Sequence, residues 1–260
     1  SNVLSRQEYL NKINVFPVPD GDTGTNMAFT LTSILDSTEQ KIQPRSDEML
    51  ALIADAALDG ARGNSGVILA QFFQGLSDGA AGVEKMTPEN FAKAVQFGAE
   101  YARQALAEPI EGTILTVLTD FSNHLIELIE SQNCDFEHLL EMGINEAEKS
   151  LENTPNLLAV LKKAGVVDAG AQGFVDLLNG IFSFVRDGDL HGFKTNLEKK
   201  ETTLDLISTE GDFENSAFRY CTECLINGKT IDHKKVRESL QMSGDSLVIA
   251  GSKIKTKVHI

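Results

Sequence analysis

The segment NVFPVPDGDTGTNM, from Asn14 to Met27, decides how this sequence is interpreted. It places two prolines and the triplet Asp20-Gly21-Asp22 in a short turn, directly before an apolar helical pattern. Two carboxylates on a stiff turn repel each other unless they share a cation, and Mg²⁺ is commonly held by one or two carboxylates together with substrate phosphates. The segment therefore predicts either a Mg²⁺–phosphate seat or an ordinary Asp-Gly turn in which Asp22 caps the next helix.

The composition limits the class of protein. With 260 residues, 42% of them hydrophobic, the chain can bury one large domain, or one domain and a smaller piece. A net charge of −15 without a long Lys/Arg cluster argues against nucleic-acid binding. Three cysteines do not make a disulfide framework, which favours a reducing, cytoplasmic setting. No apolar run approaches the roughly 20 residues of a membrane span.

Helical periodicity dominates the chain up to about Gly188 and predicts about nine helices joined by short loops. Thr87-Pro88-Glu89 has the order of cap, proline and acid that is typical of a helix start. Ser46 is expected to cap another helix, and Ser5 with Glu8 predicts a capping box that opens a helix to about Ile13.

The pattern changes after this helical part. Residues 191–215 are polar and charged and are interpreted as a linker or irregular segment, whereas residues 216–260 favour a β-α-β order. We therefore expect a helical domain over residues 1–190 and a small α/β domain over residues 216–260. The last apolar run stops abruptly, which predicts that this second domain is truncated.

Three glycine-rich breaks each precede a helix: PVPDGDTGTN, GARGNSG and VVDAGAQG. Exposed backbone N–H groups and the helix dipole make helix N-termini suitable for anions, and glycine lets the backbone approach a bound group. In the second break, Asn64, Ser65 and Gly66 can offer N–H and hydroxyl donors to phosphate. The alternative is a kink between two packed helices, with Ser65 as N-cap. None of the breaks matches a P-loop or a Rossmann fingerprint.

Taken together, NVFPVPDGDTGTNM, GARGNSGVIL, EGTILTV and VVDAGAQGF resemble the nucleotide-binding domain shared by bacterial fatty-acid kinase and the ATP-using part of dihydroxyacetone kinases. The resemblance to fatty-acid kinase covers nearly the whole chain, and that to dihydroxyacetone kinases covers about residues 1–190. It implies a mainly α fold, an eight-helix barrel (DhaL-like) with the nucleotide at one end, followed here by a small α/β piece.

The resemblance also implies roles for individual residues. Asp20 and Asp22 would be catalytic as ligands of Mg²⁺, with two ions expected. Related kinases have a third aspartate upstream; its nearest equivalent here is Asn14, which would bind metal through its amide oxygen or only brace the turn. The nucleotide ATP or ADP would be bound by Thr23, Gly24, Thr25, Asn26, Asn64, Ser65, Gly66, Gly112, Thr113, Asp168, Ala169 and Gly170.

By this resemblance the reaction is ATP-dependent phosphoryl transfer to the carboxylate of a fatty acid, which a separate or fused DegV-type binding protein presents. The product would be an acyl phosphate, and no general base is needed because the acid is ionised at pH 7. Two alternatives stay open: a kinase subunit for dihydroxyacetone or a related small molecule, and a nucleotide-binding regulatory or scaffold module without turnover. A homodimer is also expected, because two-fold dimers are the commonest assembly.

Cys221 and Cys224 form a C-x-x-C pair, and His259 lies in the last predicted strand, a combination that could begin a Zn²⁺ site. Cys221 and His259 match a cysteine and a histidine of the middle domain of fatty-acid kinases, whereas Cys224 has no counterpart. The alternative interpretation is two half-buried strand cysteines without metal.

Overall fold

The periodic part of the sequence forms ten α-helices in the computed structural model, which describes residues 2–39, 41–131, 134–188, 222–244, 247–251 and 255–259. Seven of these helices are long, and three are short. The helices are α1 Asn2–Ser5, α2 Gln7–Lys12, α3 Thr23–Thr38, α4 Ser46–Gly60, α5 Gly63–Gly79, α6 Pro88–Ala105, α7 Ile114–Ser131, α8 Phe136–Leu157, α9 Ala159–Ala164 and α10 Ala169–Asp187.

The long helices form a closed ring in which each packs against the next along the chain, from α3 to α8 and then α10, and α10 packs back against α3. The short helices α1 and α2 fill the remaining position, because both contact α3 and α10. The ring therefore has eight members if α1 and α2 count as one broken helix. This mainly α fold is the predicted one.

Three aromatic rings from different helices meet at the centre of the ring. Phe174 of α10 is fully buried and makes edge-to-face contacts with Phe72 of α5 and Phe121 of α7, at centroid distances of 5.5 and 5.7 Å. Edge-to-face pairs of this kind add to the stabilisation from the buried area itself. On the outer side, Gly98 lets α6 approach α5, because a Cβ there would lie 2.8 Å from the ring of Phe72.

The helix starts only partly follow the predicted caps. Thr87 caps α6 as expected, with its hydroxyl accepting a hydrogen bond from the Asn90 N–H at 3.2 Å. The prediction for Ser46 was wrong, because Arg45 occupies the N-cap position and the Ser46 hydroxyl instead accepts from the Met86 N–H. The Ser5 capping box was also wrong: α1 ends at Ser5, whose hydroxyl donates to the carbonyl of Asn2, and a new helix starts at Gln7.

The C-terminal piece is a small α/β unit, as predicted. Its sheet is antiparallel with strand order β1-β3-β2, so that the last strand lies in the middle, and the helix α11 follows β1. Its elements are β1 Glu223–Asn227, α11 His233–Leu240, β2 Val248–Gly251 and β3 Lys255–His259.

Strand β2 joins the two parts of the molecule, because its four buried residues pack into two different apolar clusters. Ile249 faces the core of the small unit with Leu247 and Val258, whereas Val248 and Ala250 pack against small residues of α4, α5 and α6. Side chains alternate between the two faces of a strand, so one short strand serves both cores. None of the helices in the described ranges combines the length and hydropathy that a bilayer span requires.

Candidate functional site

A cavity of about 150 Å³ lies where the glycine-rich breaks meet at one end of the helical ring. Residues of the predicted site line it together with apolar residues, which include Leu247 and Val248 at the start of β2. The lining residues are Phe16, Pro17, Thr23, Asn64, Ser65, Ile68, Leu106, Ala107, Glu108, Ile110, Thr113, Ile114, Asp168, Gly170, Leu247 and Val248.

The two acids of the first turn lie next to each other. Gly21 between them has a φ of +67°, a conformation that glycine adopts without strain. The Asp20 side chain is exposed, yet partial desolvation raises its pKa, and the charge of Asp22 and a hydrogen bond between the two side chains raise it further. The Asn14 amide nitrogen donates to Asp20 at 2.6 Å, which lowers that pKa in part. In this geometry Asn14 braces the turn, which is one of its two predicted roles.

The donor chemistry of this turn fits a hard divalent cation. The charge of Asp22 contributes to the raised pKa of Asp20, and no salt bridge joins either carboxylate to a basic side chain within the described ranges. Oxygen ligands of this type suit Mg²⁺. Close to the turn, the buried Asn64 Oδ1, which belongs to a residue lining the cavity, has no hydrogen-bond partner. The pair is not part of a larger cluster: no group of three or more His, Cys, Asp or Glu side chains that could hold a metal occurs in the described part of the chain.

Helix α3, which follows the turn, is capped by a side chain of α2. Asp22 occupies the N-cap position but makes no capping hydrogen bond. Instead, the Thr25 N–H donates to Asn11 Oδ1 at 3.1 Å, and the Thr25 hydroxyl accepts from Asn11 Nδ2 at 2.9 Å and from Gln7 Nε2 at 3.0 Å. The Asp22 side chain therefore does not cap α3, contrary to that part of the ordinary-turn alternative.

The second break packs directly against the first. Gly63 has a φ of +55°, and a Cβ there would lie 2.2 Å from the side-chain nitrogen of Asn26. The Ser65 hydroxyl lies 3.4 Å from the hydroxyl of Thr23, so the starts of α3 and α5 face the cavity together. The backbone N–H of Gly63 donates to a carboxylate oxygen of Glu223 at 2.5 Å, which brings an acid from the C-terminal sheet to the start of α5.

The third break, at the start of α10, and the segment before α7 also line the cavity. Asp168 caps α10 by accepting from the Ala171 N–H at 2.8 Å, and its own N–H donates to Thr154. Burial raises the pKa of Asp168 to about 6, although backbone hydrogen bonds from Ala171 and Ile114 act against this shift. The hydrogen bond from Ile114 connects the start of α7 to the start of α10.

The structure brings six of the predicted nucleotide-binding residues to the cavity: Thr23, Asn64, Ser65, Thr113, Asp168 and Gly170. Another six lie behind them and pack the breaks together: Gly24, Thr25, Asn26, Gly66, Gly112 and Ala169. Gly112, for example, has a φ of +83° and donates its N–H to the hydroxyl of Thr116.

Most of the predicted zinc ligands lie outside the described part of the chain. Cys221 lies outside the described residues, as does the side chain of His259, whose backbone pairs with Glu223 and Val248. Cys224 is exposed on β1 with a free thiol. The described residues therefore offer no support for a zinc site.

Sequence reasoning missed three contributions to this site. Asn11 and Gln7 are polar residues of a short helix, and nothing in their local pattern points to α3. Glu223 directly precedes Cys224, which was considered as a zinc ligand, but its hydrogen-bond partner Gly63 is 160 residues away in sequence. Leu247 directly precedes β2 and Val248 begins it, and only the docking of β2 brings them to the cavity.

Comparisons with known families agree with this architecture. The chain matches the model of the DAK2 domain over residues 17–183. Residues 217–260 match the model of the FakA-like middle domain of fatty acid kinase.

Among individual proteins, an uncharacterized protein of Staphylococcus saprophyticus is 37% identical, and one of Staphylococcus aureus strain MRSA252 is 36% identical. Each match covers 100% of this chain and 48% of the relative, so the chain spans about half the length of the relatives it matches. The dihydroxyacetone kinase of C. freundii, solved with AMP-PNP and Mg²⁺, superposes with a TM-score of 0.53 at 20% identity. That match covers 70% of this chain and 31% of the kinase, and it shows a shared fold.

Proposed function

The chain belongs to the DAK2 domain family, and on this premise we propose that it binds a magnesium nucleotide and takes part in transfer of its terminal phosphoryl group. One observation carries the proposal: three glycine-rich breaks and the start of α7, which are far apart in sequence, converge on one cavity. Asp20 and Asp22 do not line this cavity themselves, but Thr23, the residue directly after them, does. A kinase with the same fold, that of C. freundii, was crystallised with AMP-PNP and Mg²⁺.

In this proposal Asp20 and Asp22 hold Mg²⁺, and Asn14 supports Asp20 through its amide. When bound, the ion would neutralise charge on the phosphate oxygens. Two ions are proposed, because two carboxylates and the phosphate oxygens together offer enough ligands for them.

The phosphates lie against the starts of α3 and α5 in this proposal. Backbone N–H groups at a helix start, together with the hydroxyls of Thr23 and Ser65, provide preorganised donors for negative charge. Thr113, Asp168 and Gly170 then face the nucleoside. The apolar side of the cavity, which includes Ile68 and Ile114, suits a flat base.

We further propose that the acceptor is the carboxylate of a fatty acid presented by a DegV-type binding protein. The match of residues 217–260 to the FakA-like middle domain of fatty acid kinase supports this choice over other acceptors. A carboxylate oxygen attacks the γ-phosphorus, the bond to the β–γ bridging oxygen breaks, and ADP leaves with the electron pair. The product is an acyl phosphate, and no protein base is required because the acceptor is already ionised.

We propose residues 1–190 as the nucleotide-binding domain and residues 216–260 as a small α/β domain. The linker predicted for residues 191–215 lies outside the described residues. We also propose that the protein is cytoplasmic. Dihydroxyacetone or a related small hydroxy compound is the second candidate acceptor, because the fold is similar to that of the C. freundii kinase. A scaffold that binds nucleotide without turnover is the third candidate.

Calorimetry with ADP in the presence and absence of Mg²⁺ tests the binding step. We expect tight binding with the metal only, and its loss in the variants Asp20→Asn and Asp22→Asn. The matched control is Asp36→Asn, an exposed acid on α3. Binding that does not depend on the metal, or that survives in both acidic variants, would exclude the proposed site.

An assay with ATP and a fatty-acid-loaded DegV-type protein, in which hydroxylamine traps acyl phosphate, tests the acceptor. Phosphorylation of dihydroxyacetone instead would favour the second candidate. Metal-dependent binding without any transfer would favour the scaffold.

A further inference from the structure

Helix α3 starts in an unusual way, because the acid in its N-cap position does not cap it. An N-cap side chain normally accepts a hydrogen bond from the N–H of the second or third helical residue, and Asp is among the residues most favoured for this role. In α3 the third residue is Thr25. Its N–H donates instead to Asn11 Oδ1 at 3.1 Å, and Asp22 makes no capping hydrogen bond.

The contact between Asn11 and Thr25 is held from two sides. Asn11 Nδ2 donates to the Thr25 hydroxyl at 2.9 Å, so one amide engages both the backbone and the side chain of the same residue. Gln7, one turn earlier on α2, donates to the same hydroxyl at 3.0 Å. Gly24 permits this approach, because a Cβ there would lie 2.3 Å from the Gln7 carbonyl oxygen and 2.9 Å from Asn11 Oδ1.

We propose that Asn11 is a positioning residue for the divalent cation. Asp22 has an αR backbone conformation (φ −119°, ψ −5°), whereas a capping residue is typically extended. By occupying the Thr25 N–H, Asn11 removes the partner that would draw Asp22 into the extended capping conformation, and so keeps its carboxylate beside Asp20. This inference rests on the proposed function, because it assumes that Asp20 and Asp22 bind the cation.

The same contacts have a second effect, which is to fasten α2 to α3. A purely structural role and a positioning role predict different results for Asn11 and Gln7. Both side chains fasten the helices, but only Asn11 holds the Thr25 N–H. Loss of Gln7 therefore leaves the N–H occupied, whereas loss of Asn11 releases it to Asp22.

The test measures the affinity for Mn²⁺, a paramagnetic substitute for Mg²⁺, by electron paramagnetic resonance, with thermal unfolding measured in parallel. In Asn11→Ala we expect the dissociation constant for Mn²⁺ to rise about tenfold. In Gln7→Ala it should stay within about twofold of wild type, although both variants lose thermal stability. Asn11→Asp keeps an acceptor for the Thr25 N–H and should bind Mn²⁺ at least as tightly as wild type.

Wild-type affinity in Asn11→Ala, or an equal loss in Gln7→Ala, would overturn the inference while leaving the proposed function intact. Failure of the wild-type protein itself to bind Mn²⁺ would overturn both. If Asn11→Ala does not fold, a crystal structure of the wild-type protein with Mn²⁺ decides. The Asp22 carboxylate should then contact the ion, and a hydrogen bond from the Thr25 N–H to Asp22 would contradict the inference.

Discussion

Glu223 of the C-terminal sheet accepts a hydrogen bond from the backbone N–H of Gly63, at the start of helix α5. This contact places a carboxylate next to Asn64 and Ser65, the following two residues of α5, which line the cavity and which the proposed function assigns to the phosphates. A carboxylate and a phosphate compete for the same N–H and repel each other. The contact therefore links the C-terminal unit to the occupancy of the site.

We predict that Glu223→Gln strengthens binding of Mg²⁺–ADP, because it removes a negative charge that opposes the phosphates. The dissociation constant from calorimetry should fall about three- to tenfold, equivalent to about 0.7–1.4 kcal/mol. Glu238→Gln, on the exposed face of α11, is the control and should leave the affinity unchanged. Unchanged or weaker binding in Glu223→Gln would show that this carboxylate does not compete with phosphate.

Gly63→Ala should be costly for two reasons. Its φ of +55° is strained for any residue with a Cβ, and that Cβ would lie 2.2 Å from the Asn26 side chain. Gly82 is the matched control, because it also has a positive φ but nothing lies within 4 Å of its Cβ position. In urea unfolding we expect Gly82→Ala to cost about 1–2 kcal/mol from backbone strain alone. Gly63→Ala should cost at least about 1 kcal/mol more, because the new Cβ overpacks against Asn26. Equal losses in the two variants would show that the Asn26 side chain moves aside without cost.

The buried acid Asp176 of α10 should make folding stability depend on pH. Burial raises its pKa to about 6 despite its salt bridge with Arg6, and its Oδ2 atom is buried without a hydrogen-bond partner. Because the pKa is higher in the folded than in the unfolded state, the folded state binds a proton more readily between about pH 4 and 6. The stabilisation is complete below the unfolded pKa and is lost as the pH rises through about 6.

We therefore predict that the free energy of unfolding increases as the pH falls from 7 to 5, and that Asp176→Asn reduces this increase. Urea unfolding at several pH values measures both slopes. Asp168, whose pKa is also raised to about 6 by burial, adds a contribution of the same sign. Asp36→Asn serves as the control and should leave the slope unchanged, whereas an unaltered slope in Asp176→Asn would contradict the prediction.

Arg237 of α11 should anchor the C-terminal unit to the helical ring. Its guanidinium donates to the carbonyl oxygens of Gln104 at 2.8 Å and Ala105 at 3.0 Å, which are at the end of α6 and lack helical partners. A cation at this end of a helix is also favoured by the dipole. In Arg237→Ala we expect faster amide hydrogen exchange in β2 and β3 with little change inside the ring.

The control for Arg237 is Lys235→Ala, an exposed residue on the same short helix. It should leave exchange in the sheet unchanged. If Arg237→Ala leaves it unchanged as well, the buried side chains of β2 and the Glu223–Gly63 contact are sufficient to hold the two units together.

The sequence was sufficient to predict the helices, because apolar periodicity is a local property of each segment. It also identified the glycine-rich breaks, since glycine marks the positions where the chain needs a positive φ or a close approach. The order of strands and helix in the C-terminal unit was also predicted, because strand periodicity is likewise a local property. Caps were less reliable: Thr87 was correct, but Ser46 and Ser5 were not, because Ser46 hydrogen-bonds to Met86 and Ser5 lies at the end of α1.

Only the tertiary structure decided which of these residues act together. The Asn11–Thr25 contact spans 14 residues and the Gly63–Glu223 contact spans 160, and neither leaves a signal in a local pattern. The side chain of Asp22 could cap α3 or face Asp20, and its own segment allows both. In the folded protein Asp22 has an αR backbone conformation without a capping hydrogen bond, and the Thr25 N–H donates to Asn11 of α2 instead. The sequence by itself thus determined the elements and the acidic pair, and the packing of distant segments determined what that pair is free to bind.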